Sequence, residues 1–136
     1  MRTTLIFAFI LMLLPCSTFA LDAEDFDGTT KTLLPVCEQL VRAGNVERLP
    51  PSQYANAMFC AGYIQGVVST VSVALPNGII GGTEPHRFCL PVGITLIQEA
   101  NIIVEYIKKH PEYRNMYMPA DDAVLWALSN AYPCKK

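Results

Sequence analysis

The longest uncharged interval of the chain runs from Leu49 to Thr83. Within it, apolar or small residues recur at Tyr54, Ala57, Met58, Ala61, Ile64, Val67, Val68, Val71 and Leu75, a three-and-four spacing that follows a helix rather than a strand. The pattern predicts a long central helix from Ser52, which caps it, to Leu75. The intervening Asn56, Gln65, Ser69, Thr70 and Ser72 are polar but uncharged, which predicts a helix enclosed on most sides by protein. Those side chains, with Gly62 and Gly66, argue against a membrane span. The two glycines are read as letting another helix of the bundle approach closely.

Three further helices frame this one. Leu33, Leu34, Cys37, Leu40 and Val41 share a face over about Thr30 to Ala43, with Thr29 or Thr30 as cap, Pro35 tolerated near the start and Gly44 as a left-handed end. The short connection Asn45 to Pro51 folds the central helix back antiparallel against it. Thr95 and Gln98 form a capping box before a helix extending to about Lys109, whose inner face is Leu96, Ala100, Ile103, Val104 and Ile107. Lys108, Lys109 and His110 suit its negative end, and Pro111 stops it. Pro119 then opens a helix over Ala120 to Ala131 that turns Val124, Ala127, Leu128 and Ala131 inward, with Trp126 off the stripe. Helices three and four are expected to form a second antiparallel hairpin.

The first twenty residues belong to no such face. Arg2, the apolar run Leu5 to Leu14 and the small-residue ending at Ala20 describe a secretory signal peptide, so residues 1–20 are set aside and a single domain is expected over 21–136. Leu13 to Cys16 approaches a lipoprotein cleavage box, but Pro15 stands where such boxes carry a small residue. The remaining chain has nine basic and twelve acidic side chains, a net charge of −3, with no basic stripe. Nucleic acid is therefore not an expected partner, and no membrane association is expected after cleavage. Asp22, Glu24, Asp25 and Asp27 read as a solvated new N-terminus.

Four cysteines remain, Cys37, Cys60, Cys89 and Cys134, an even number suited to an oxidising compartment. They allow three pairings. Cys37 and Cys60 fall at similar heights on the first antiparallel hairpin, and Cys89 precedes the third helix as Cys134 follows the fourth. Position therefore favours Cys37 with Cys60 and Cys89 with Cys134. The fold class expected is all-α: a small four-helix bundle of two antiparallel hairpins closed by disulfides.

Candidate chemistry is sparse. His86 and Cys89 lack a second ligand pair, and disulfide bonding removes Cys89, so neither a metal nor any other cofactor is expected. His110 reads as a helix end and each cysteine has a structural partner, so no nucleophile–base arrangement emerges and the chain is not read as an enzyme. The unusual stretch is Ile79 to Phe88, where two isoleucines stand beside glycines. Such residues either tuck onto the domain or present a partner-binding loop, whose candidate contacts are Ile79, Ile80, Glu84, His86 and Arg87.

Cys60, Gly62, Tyr63, Ile64 and Gly66, then Phe88, Cys89, Pro91, Gly93, Thr95 and Gln98, then Tyr106, His110 and Pro111, then Pro133 and Cys134 together resemble the Rap/Tai family of type VI secretion immunity proteins. The resemblance implies an all-helical periplasmic protein, exported through the Sec pathway and usually a homodimer, that binds and blocks a peptidoglycan amidase effector. The alternative is a small periplasmic helical chaperone or scaffold that exposes apolar surface in acid.

Overall fold

The computed structural model describes residues 26–44, 49–76, 78–115 and 117–135, with the side chains of residues 114 and 115 excepted. The signal peptide and Cys16 lie outside the described residues. In chain order the elements are α1 (Thr30–Ala43), α2 (Pro51–Val71), β1 (Ser72–Leu75), β2 (Gly78–Gly81), β3 (Phe88–Pro91), α3 (Leu96–Lys109), α4 (Pro111–Asn115) and α5 (Ala120–Ala131). The all-α four-helix expectation is therefore wrong. The five described helices are accompanied by a three-stranded antiparallel sheet in the order β1-β2-β3.

The difference lies at two places: Pro111, expected only to stop α3, opens the short α4, and strands replace the end of the central helix. The central helix ends at Val71, not Leu75, and Ser72 turns the backbone extended at φ −123° and ψ 158°. Leu75 precedes Pro76, which disfavours helical geometry there, while Val73, Ile79 and Ile80 are β-branched and fit a pleated surface. The resulting hairpin pairs Leu75 with Gly78 across a two-residue connection and Val73 with Ile80. β2 then pairs with β3, setting Ile79 opposite Leu90 and Ile80 opposite Cys89. Residues directly opposite one another share a face, so Ile79 and Leu90 turn to the core while Val73, Ile80 and Cys89 turn away from it.

The helices pack on one another by single faces. α1 buries Leu33, Leu34, Cys37 and Leu40, and ends at Gly44 with φ 55°. Residue Asn56 hydrogen-bonds Gln39 at 3.3 Å, and the Cys37–Cys60 disulfide joins the same two helices with a Cα separation of 5.1 Å, so α1 and α2 run antiparallel. α3 starts on the Thr95–Gln98 capping box and buries Ala100, Ile103, Val104 and Ile107. α5 adds Ala123, Val124, Ala127 and Leu128. The start of α1 is tied to the link before α5, since Thr30 N donates to the Met118 carbonyl at 3.0 Å and Ala120 N to that of Gly28 at 2.8 Å.

Three local expectations also change. Ser52 does not cap α2; Pro50 occupies that position and Pro51, whose missing amide costs nothing there, opens the helix. Thr29 stands at the start of α1 without a side-chain cap, its hydroxyl donating instead to Asp27 at 2.6 Å. Nor is α2 enclosed. Ala57, Cys60, Ala61, Ile64 and Val68 are buried, but Tyr54, Met58, Gln65, Ser69 and Thr70 face outward. A Cβ built at Gly62 or Gly66 meets open space, so no described helix uses the close approach they permit.

Candidate functional site

The loop between β2 and β3, residues 82–87, is mostly exposed and is tied to the fold at both ends. Its start is fixed by Gly82 at φ 72°, where a Cβ would overlap the His86 carbonyl. Only glycine fits both the dihedral and the space. The Gly82 amide donates to the Val71 carbonyl at 3.1 Å, closing the last turn of α2, and His86 N donates to Thr83 O at 2.6 Å. Beneath it Phe88 is fully buried, with its ring where a side chain on Gly81 would stand.

The far end of the loop is fastened to the C-terminus. Cys89 N donates to Tyr132 O at 2.8 Å, Phe88 bridges Pro133, and the Cys89–Cys134 disulfide spans a Cα separation of 4.9 Å. From α5, Trp126 meets the His86 ring at a centroid distance of 3.9 Å and stays 37% exposed itself. The His86 Nδ1 is buried without a hydrogen-bond partner, so this histidine is held by packing rather than by a polar network. What remains outward is Thr83, Glu84, Pro85 and Arg87, one acid and one base on a fixed tip.

The five candidate contacts thus divide. Glu84, His86 and Arg87 share the loop, with Glu84 and Arg87 exposed and His86 half-buried. Ile79 and Ile80 stand in the central strand at its base, both half-buried, with Ile79 packed against the core. Trp126 joins the loop unannounced by any local motif, because it comes from α5, distant in sequence from the β2–β3 loop that carries His86.

The rest of the described surface offers little chemistry. The second histidine, His110, lies 2.9 Å from Glu112 and meets the rings of Tyr106 and Tyr113 at a tilt, with centroid distances of 4.4 and 5.4 Å. Burial raises the Tyr106 phenol above its ordinary pKa, and its own backbone amide together with His110 lowers that of Glu112. Glu38 accepts from Arg42 and Lys108, each at 3.0 Å, a solvent-exposed link between α1 and α3 of small energetic weight. A surface depression of about 300 Å³ lies between α1 and α2, lined by Gln39, Arg42 and Gln53, and one of about 460 Å³ lies between α1 and α3, lined by Val41, Asn101 and Tyr132. Among the described residues no three of His, Cys, Asp and Glu converge as metal ligands. None of the described helices is long and apolar enough to cross a membrane.

The family model of the Rap1a immunity proteins matches residues 29–134. The chain belongs to that family, in agreement with the resemblance read from its motifs. No curated protein and no solved structure matches it.

Proposed function

We propose, with membership of the Rap1a immunity family as the premise, that this protein is a periplasmic inhibitor of a peptidoglycan amidase delivered by type VI secretion. Residues 1–20 direct export through the Sec pathway and are removed, and residues 21–136 act as one domain, as a homodimer, by surface contact and without catalysis. The observation that carries the reading is the loop of residues 82–87. It projects an acid and a base, Glu84 and Arg87, from a base fastened by Gly82, Trp126 and the Cys89–Cys134 bond. A loop already held in one shape loses little conformational freedom on docking, which favours tight insertion into an enzyme cleft.

The test is to titrate the mature protein into the hydrolase encoded beside its gene and follow release of peptidoglycan fragments. Stoichiometric inhibition is expected, weakened at least about tenfold in a Glu84→Lys, Arg87→Glu double variant, because charge reversal at a contact costs more than about 1.4 kcal/mol. Undiminished hydrolysis at a large molar excess of wild type would remove the proposal. Ile79 is a poor probe, since its replacement disturbs the core.

The chaperone alternative requires acid to loosen the fold. Glu99 acts in the opposite sense. Its side chain is 3% exposed, its Oε2 has no partner, and burial raises its pKa. The folded state therefore holds this proton more tightly than the unfolded state. The associated stability is complete below the ordinary carboxylate range and is lost as pH rises through the raised value. Glu99→Gln removes the charge that burial disfavours and is expected to be more stable than wild type at pH 7 and to match it near pH 4 in denaturant titrations.

A further inference from the structure

The two edges of the sheet are not equivalent, and the outer side of β1 is paired with nothing among the described residues. The Gly82 amide bonds the Val71 carbonyl one step beyond the Ser72–Gly81 pair. Hydrogen-bonded pairs alternate along an antiparallel ladder, so Val73 and Leu75 turn their amides and carbonyls to β2, and Ser72 and Ala74 turn theirs outward. Natural edge strands are commonly protected by lysine, proline or a bulge. Ser72–Leu75 has none of these, and its side chains Val73 and Leu75 are 66% and 47% exposed.

We propose that β1 pairs antiparallel with β1 of a second copy about a two-fold axis at Val73, joining two three-stranded sheets into one. This deepens the homodimer part of the reading above and rests on it. What commits the edge to its own copy is self-complementarity. With Val73 opposite Val73, each Ser72 faces Ala74 of the other copy, and these are the residues whose backbone groups point outward. The same register carries Leu75 beside Val71, which is 40% exposed, so the three exposed apolar side chains cover one another on one face of the sheet. Shifting the axis to Ala74 instead sets Ser72 against Pro76, which has no amide to donate. No charged residue lies between Leu49 and Thr83, so two copies meet at this seam without like-charge repulsion.

The mature protein should sediment as a dimer. Val73→Cys should cross-link under mild oxidation and run as a dimer on a non-reducing gel, because directly opposed residues in such a pair have Cα atoms about 4.5 Å apart, within disulfide range. Tyr117→Cys, at an 81% exposed site, is the control and should stay uncross-linked. Val73→Lys places like charges opposite each other and should weaken dimerisation at least about tenfold while the far-ultraviolet circular dichroism spectrum stays that of the folded wild type, whereas Val73→Thr should keep the dimer. A dimer insensitive to Val73→Lys, or Val73→Cys that cross-links no better than the control, overturns this seam and leaves the homodimer standing. A monomeric wild type overturns both. Amidase inhibition, read separately, is untouched by either outcome.

Discussion

The edge at β3 and the edge at β1 belong to one small sheet and are finished in opposite ways. β3 is covered by the Tyr132–Cys134 segment through a hydrogen bond, a bridge and a disulfide, and Phe88 below it is fully buried. β1 carries exposed valine and leucine and has no partner on its outer side among the described residues. Covalent and packing restraint at β3 fastens the base of the adjoining loop of residues 82–87, whereas nothing comparable restrains the outer side of β1 among those residues.

That division can be broken by substitution, most severely at the closed edge. Replacing Cys89 and Cys134 together by Ser opens a loop with a sequence separation of 45. It should cost about 4 kcal/mol in chemical denaturation, with inhibition lost alongside stability. Phe88→Ala should cost about 3–4 kcal/mol, since a fully enclosed ring leaves a cavity beneath Gly81. Gly82→Ala should cost about 2 kcal/mol and impair inhibition out of proportion to stability, because it strains the loop's entry without emptying the core. At the open edge, Val73→Ala should change monomer stability by no more than about 0.5 kcal/mol in the same assay. If Val73→Ala proved as damaging as Phe88→Ala, β1 would be part of the structural core and the contrast would fail.

The same contrast explains what could be read from the chain. Helices α1, α3 and α5 declared themselves through one-sided apolar spacing, Gly44 as a left-handed end and the Thr95–Gln98 box. The sheet did not, because Val71 and Leu75 continue the helical spacing of α2 and a four-residue strand is too short to display its own alternation. Pro76, Asn77 and Gly78 were legible as a helix stop. The Asn-Gly pair between apolar runs is equally a hairpin signal, and the β-branched Ile79 and Ile80 beyond it favoured that reading. Absence of charge suggests enclosure, whereas the outward face of α2 is exposed and merely neutral. For the candidate site, Glu84, His86 and Arg87 are signalled by the unusual glycine pair they adjoin. Trp126 carries no such signal, since its tilted contact with His86 depends on how α5 lies against β3.

Hydrogen–deuterium exchange of the mature protein, alone and saturated with its hydrolase, decides whether the loop of residues 82–87 is the contact surface. New protection of the amides in residues 83–87 is expected on complex formation, with little further change at Ser72–Leu75. Protection confined to α1, α3 or the outer face of α2, with the loop exchanging as in the free protein, would contradict it.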